Sequence, residues 1–160
     1  MINRLRRWCL RILYLVAKIY WWLCNPVYRG AKVVITCGNE MLWVRHSFDP
    51  SYWTFPGGTI EKDEEPKDTA IREVQEEVGI KLVEVVPIGS FKNRGDHKKD
   101  TVYCFHAEVV TKDLSLNDIE LSEAKWFPID TPPENMGQKN AKRIWEFYRN
   151  YQNMLTSGYD

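Results

Sequence analysis

Apolar and polar positions divide this chain into segments of different period. Leu5 to Leu23 is apolar and aromatic throughout and reads as a helix, which Asn25-Pro26 ends because proline disfavours helix at the residue before it. Ala31 to Cys37 (AKVVITC) is rich in β-branched residues, Gly38-Asn39 is a turn signal, and Met41 to Arg45 (MLWVR) reads as the return strand of a hairpin. HSFDPSYWTFPGG follows as a loop carrying Phe48, Tyr52, Trp53 and Phe55 into a Pro-Gly-Gly turn. Pro66 suits the first turn of a helix running to about Val78, with Gly79 as its C-terminal cap. Leu82 to Phe91 and Thr101 to Lys112 predict two strands joined by a basic hairpin loop, KNRGDHKKD. Lys125 to Ile129 predicts a last short strand. Gln138 to Leu155 predicts an amphipathic helix with Ile144, Trp145, Phe147, Tyr148 and Tyr151 facing the core. Strands interleaved with two well-separated helices indicate a mixed α/β domain.

Charge separates the first segment from the rest. Met1 to Arg29 holds six basic residues and no acid, leaving sixteen basic against twenty-two acidic residues, a net of −6, in the remainder. Arg4, Arg7, Arg11 and Lys18 fall within about 80° of one another on a helix and form a basic stripe on an apolar cylinder. Spanning a bilayer is disfavoured, because Arg11 and Lys18 would each cost about 2.5 to 3.5 kcal/mol near its centre. A signal peptide is disfavoured too, since the charges interrupt the apolar region and no small-residue cleavage site precedes Pro26. Two readings remain for residues 1–26: an interfacial helix with Trp8, Trp21 and Trp22 at headgroup depth, or a helix covering an apolar surface of its own domain or of a second copy. Residues 27–157 are expected to form one domain. The cysteines Cys9, Cys24, Cys37 and Cys104 are widely spaced without a CxxC pair, which reads as reduced thiols in a reducing, cytoplasmic compartment, peripheral to the membrane if the first helix is interfacial.

The helix over residues 66–78 carries the candidate chemistry. On a helical wheel Ile71, Val74 and Val78 share one side within about 60°, while Glu73, Glu76 and Glu77 cluster within about 100° on another. Like charges packed this closely repel, so the cluster calls for a compensating cation or a fully solvated face. Three carboxylates held together suit a hard divalent cation, and Mg²⁺ in particular pairs a few carboxylates with substrate phosphates. Spacing within the helix leaves both readings open.

The surrounding residues extend the pattern. GTIEKDEEPKDTAIREVQEEVGI, Gly58 to Ile80, resembles the Nudix box of the Nudix hydrolases, GX₅EX₇REUXEEXGU with U aliphatic, at Gly58, Glu64, Arg72, Glu73, Val74, Glu76, Glu77, Gly79 and Ile80. A match at all these positions arises by chance with a probability on the order of 10⁻⁸ to 10⁻⁷ at average residue frequencies. The resemblance covers about Val27 to Leu155 and implies a Nudix-type α/β/α sandwich with a mixed sheet, to which the N-terminal amphipathic helix is an addition.

The resemblance implies roles position by position. Glu73, Glu76 and Glu77 correspond to metal ligands, with the carbonyl of Gly57 as a backbone ligand and Glu120, with Glu123 second, as a further acid from a distal loop. Arg72 corresponds to the residue that orients Glu73, and Glu64 to an outer acid that steadies the metal-water network. The implied reaction is Mg²⁺-dependent hydrolysis of a phosphoanhydride, with Mn²⁺ as substitute and Glu73, Glu77 or Glu120 taking the proton of the attacking water.

Substrate signals lie outside the box. The window near Gly95 to Lys98 lacks the proline or tyrosine that marks ADP-ribose and diadenosine polyphosphate subfamilies, and strings typical of NADH or coenzyme A subfamilies are absent. A small-molecule nucleotide is expected, foremost a nucleoside triphosphate, oxidised ones included, giving the monophosphate and pyrophosphate. Trp53 and Phe55 are candidates to stack a base, and Arg45, Lys92 and Arg94 to meet phosphate, against the plainer readings of loop packing and a solvated turn. The net of −6 argues against long nucleic acid. Alternatives are a hydrolase of a lipid-linked or membrane-proximal diphosphate and a non-catalytic ligand-sensing module. The first helix leaves peripheral membrane contact and self-association open.

Overall fold

The computed structural model describes Tyr14, Val16, residues 27–95 and residues 98–157. The helix expected over residues 1–26 therefore lies outside the described residues, apart from Tyr14 and Val16, both helical. Among residues 27–157 the described elements are six strands and two helices in the order β1 (Val27–Cys37), β2 (Glu40–His46), β3 (Asp49–Thr54), α1 (Pro66–Val78), β4 (Val86–Gly95), β5 (Lys98–Glu108), β6 (Leu121–Pro128) and α2 (Gln138–Ser157). The strands form one mixed sheet ordered β3-β2-β1-β5-β4, with β6 paired to β2. Its parallel pair, β1 with β5, runs in register from Val27↔Lys99 to Thr36↔Glu108.

Helices cover both faces, which explains the near-continuous apolar runs in β1 and β2. Ala31, Val33, Ile35, Leu42 and Val44 pack with Ala70, Val74 and Val78 of α1. The intervening Val34, Met41 and Trp43 pack with Ala141, Ile144 and Tyr148 of α2. A period of two thus sends alternate residues to two cores.

Three expectations need correction. The stretch after His46 is not all loop, because Asp49–Thr54 forms an edge strand on β2. Much of KNRGDHKKD is strand, with Asn93↔Asp100, Arg94↔Lys99 and Gly95↔Lys98 closing the β4–β5 hairpin. Trp53 and Phe55 point away from solvent into the α2-side core, where Phe55 meets Trp43 at 4.3 Å between centroids and Trp53 meets Phe127 edge-on at 5.1 Å.

Helix α1 is fixed at both ends by features visible in its sequence. Proline occupies its first turn, and Gly79 caps it in the left-handed conformation (φ 75°), donating its N–H to the Gln75 carbonyl at 3.1 Å. The last carbonyls of the helix also accept from a distant segment: Ser115 N–H reaches Val78 at 2.9 Å and Asn117 N–H reaches Glu77 at 2.9 Å. Residues 115–121 are thereby drawn against the C-terminal end of α1. Glu120 arrives beside the helix by this route, its carbonyl accepting from Ser47 N–H at 2.7 Å.

Candidate active site

Strand β1 pairs with β2 only near their connecting turn, at Thr36↔Met41 and Cys37↔Glu40. The segment Pro56 to Ile60 takes the edge β2 vacates: Val33 N–H donates to the Pro56 carbonyl at 3.0 Å, Ala31 N–H to Gly58 at 3.0 Å, and Ile60 N–H to Arg29 at 2.9 Å. The Pro-Gly-Gly turn is thus wedged between β1 and α1. Gly57 adopts φ 128°, and a Cβ there would lie 2.2 Å from the Ala31 carbonyl oxygen, so only glycine fits. A Cβ on Gly58 would lie 2.4 Å from the Glu73 carboxylate.

Beneath the turn, Arg72 ties the carboxylates together. Its Nε donates to Glu64 Oε1 at 2.9 Å and its second terminal nitrogen to Glu64 Oε2 at 3.0 Å, a bidentate fork. The remaining nitrogen bridges Glu73 Oε1 at 2.9 Å and Glu76 Oε2 at 3.1 Å. The fork holds the Glu64 carboxyl down at about 2, with help from Thr69, and the same hydrogen bonds hold the Arg72 guanidinium firmly charged.

Glu77 differs from its neighbours. It is buried although the wheel places it with the polar face, and its Oε2 accepts from Gly57 N–H at 2.8 Å. Desolvation raises its pKa to about 7; Lys32 and the Gly57 N–H oppose the rise, while Glu73 and Glu120 add to it. Glu73 is raised as well, by burial first. His46 lies with Nδ1 3.9 Å from Glu77 Oε1, but desolvation, and then Lys32, lower its pKa to about 3. The pair is therefore a neutral imidazole beside a carboxyl group rather than an ion pair.

These groups line a cavity of about 770 Å³. Its wall includes Gly57, Gly58, Arg72, Glu73, Glu76, Glu77 and Glu120, joined by Arg29, Lys32 and His46. Of the acids expected from the sequence, Glu64 stands behind Arg72 and Glu123 is turned away, its Oε2 held by Arg45 at 3.3 Å. Among the described residues no three His, Cys, Asp or Glu side chains are already grouped as a metal cage. The donor set nevertheless suits a hard dication, being all oxygen and carrying more carboxylates than local cations oppose, with Arg72 and Lys32 supplying the positive charge meanwhile.

The expected substrate contacts fare less well. Trp53 and Phe55 are core residues and do not reach the cavity. Arg45 lies over the Trp53 ring at 4.2 Å, and Lys92 is exposed on β4; neither lines the cavity, and the Arg94 side chain lies outside the described residues. Among the described residues the aromatic ring at the cavity is Phe48, stacked on His46 at 5.1 Å and on Tyr14 at 5.2 Å, so Tyr14 touches the site there. Lys32 escapes a reading by composition. Its signal is positional, since the alternation that buries Val34 also puts a lysine on a covered strand face, where it needs partners.

A family model, the NUDIX domain, matches residues 27–151. The chain belongs to the Nudix family. It carries a Nudix hydrolase domain, and relatives and solved structures agree. It is 31% identical over 112 residues to the NAD-capped RNA hydrolase NudC of Pseudomonas aeruginosa, covering 69% of this chain and 40% of that protein. It is 38% identical over 97 residues to diphosphoinositol polyphosphate phosphohydrolase 3-alpha of Mus musculus, covering 58% of this chain and 57% of that one. The chain thus spans well under two thirds of the length of these relatives. The crystal structure of the MutT protein from Methanosarcina mazei superposes with a TM-score of 0.68 at 25% identity, covering 80% of this chain and 97% of that one. The MutT Nudix hydrolase from Burkholderia pseudomallei shares the fold, with a TM-score of 0.68 at 18% identity over 75% of this chain and 96% of that one.

Proposed function

We propose that this Nudix domain hydrolyses a phosphoanhydride bond in a nucleoside diphosphate derivative with the help of a divalent cation, Mg²⁺ foremost. The observation that carries this reading is the convergence of Glu73, Glu76, Glu77, Gly57 and Glu120 on one cavity that also holds Arg29, Lys32 and Arg72. Glu73, Glu76, Glu77 and the Gly57 carbonyl would hold the cation, and Glu120 is the further acid. When bound, the cation neutralises diphosphate charge and lowers the pKa of its water.

The chain's own residues supply the rest. Arg72, anchored by Glu64, fixes the Glu73 carboxylate against Gly58. Glu73, Glu77 or Glu120 takes the proton of the attacking water. Arg29, exposed at the cavity, meets substrate phosphate in place of Arg45 and Lys92.

The foremost substrate is a nucleoside triphosphate, oxidised bases included, cleaved to the monophosphate and pyrophosphate. The similar proteins named above act, by their names, on NAD-capped RNA and on diphosphoinositol polyphosphates, and a further structural neighbour is a UDP-X diphosphatase. These define the competing classes. The test is a panel of canonical and oxidised nucleoside triphosphates, NADH, NAD-capped RNA, UDP-sugars and diphosphoinositol polyphosphates with Mg²⁺ or Mn²⁺. Phosphoanhydride cleavage of one class, lost with chelator, supports the reading; no turnover of any class with either metal contradicts it.

Among the described residues no helix is long and apolar enough to cross a membrane. The lipid-linked alternative depends on residues 1–26, which lie almost wholly outside the described residues.

A further inference from the structure

Lys32 stands in β1 between Ala31 and Val33, two residues with no exposed surface, and it lines the cavity. A lysine in such a place needs compensation for the water it loses. Two backbone carbonyls provide part of it: Nζ donates to Phe55 O at 3.0 Å and to Gly57 O at 2.5 Å. The nearby carboxylates of Glu77 and Glu73 provide the rest of the favourable field, against a burial that lowers the lysine's pKa.

The Gly57 carbonyl is the one backbone oxygen that the proposed function assigns to the cation, and in this structure an ammonium occupies it. A dication at ordinary Mg²⁺–oxygen distance from that oxygen would sit less than about 5 Å from an ammonium still bonded to it. Repulsion at that separation is strong even at an effective permittivity of about 20. Nor can the carbonyl retreat, because Gly57 N–H is fixed on Glu77 and the residue is clamped against Ala31 and Lys32.

We propose that Lys32 is a resident cation of the metal-free site, competing with the divalent ion for the Gly57 carbonyl and for the charge of Glu77, so that metal loading displaces its ammonium from Gly57. Lys32 is thus a positioning residue that sets the metal affinity. The inference rests on the metal reading above, and its test separates the two.

Mn²⁺ binding to the full chain is measured by electron paramagnetic resonance without substrate, for the wild type, Lys32→Met and Lys32→Gln. Melting curves check that each variant folds, and the glutamine variant keeps a neutral donor for the carbonyls if methionine does not fold. Arg29→Gln, which removes an equal charge from an exposed cavity residue, is the control for long-range attraction. The expected result is about tenfold or more tighter Mn²⁺ binding in the Lys32 variants and less than about twofold change in the control, persisting at about 0.5 M salt. Equal or weaker binding in the folded Lys32 variants overturns the inference. An equal gain from Arg29→Gln also overturns it, as does unchanged Mn²⁺ affinity with a raised KM, which would make Lys32 a substrate-phosphate contact. Failure of the wild type and every variant to bind Mn²⁺ would instead defeat the metal reading beneath it, and the inference with it.

Discussion

The carboxylate of Glu73 lies against the backbone of Gly58 so closely that a methyl group on Gly58 would come within 2.4 to 2.5 Å of all three carboxylate atoms. The sequence distance between them is closed by the Pro56–Ile60 segment docking on β1. Gly58→Ala is therefore expected to shift Glu73, not to unfold the domain, since the obstructing group is the end of a flexible side chain. Turnover should fall about 10²-fold, in line with a displacement of about 1 Å at a reacting centre, with a melting temperature close to wild type. Steady-state kinetics beside a melting curve checks this.

Arg72 holds Glu64 with two parallel hydrogen bonds while bridging Glu73 and Glu76. A lysine has one point charge and no planar fork, so Arg72→Lys should lose about 10- to 100-fold in metal affinity or activity despite keeping the charge. Isothermal titration with Mn²⁺ would show the loss, and wild-type affinity in the variant would contradict the bridging role.

The same fork governs acid stability. The Glu64 pKa falls from 4.5 to about 2 on folding, chiefly through its hydrogen bonds to Arg72. A carboxylate with a depressed folded pKa stabilises fully above its unfolded value and loses that contribution as pH falls through the folded one. Stability should therefore decline between pH 4.5 and about 2, and Glu64→Gln should flatten that part of the profile. Urea midpoints across this window test it, and a profile that Glu64→Gln leaves unchanged would contradict the role of the fork.

Glu120 lines the cavity, whereas Glu123 is paired with Arg45. Glu120→Gln should slow turnover by tenfold or more, on the order expected for a group that assists proton transfer, while Glu123→Gln stays within about twofold. Parallel kcat measurements decide between them.

Much of this candidate site is legible in the sequence, for reasons that particular residues make clear. Pro66, Gly79 and the spacing of Val74 and Val78 mark α1 by local rules, and the box motif adds the identity of its polar face. What stayed hidden depends on contacts distant in sequence. Glu77 is buried because the Pro-Gly-Gly turn folds over it, which a wheel cannot show. Trp53 and Phe55 look like cavity residues in a loop, but Trp53 lies in an edge strand whose alternation, continued into Phe55, turns both toward α2. Lys32 is marked only by the strand period, and its partners Phe55 and Gly57 lie more than twenty residues away.

The most direct measurement of the central claim is product formation by wild type and Glu77→Gln on the best substrate of the panel, with Mg²⁺ present and then removed by chelation. The carboxylate face predicts cleavage of the phosphoanhydride by the wild type, reversible loss with chelator, and a fall of several orders of magnitude in the folded variant. Near-normal turnover by the variant, or wild-type turnover that survives chelation, would contradict the account.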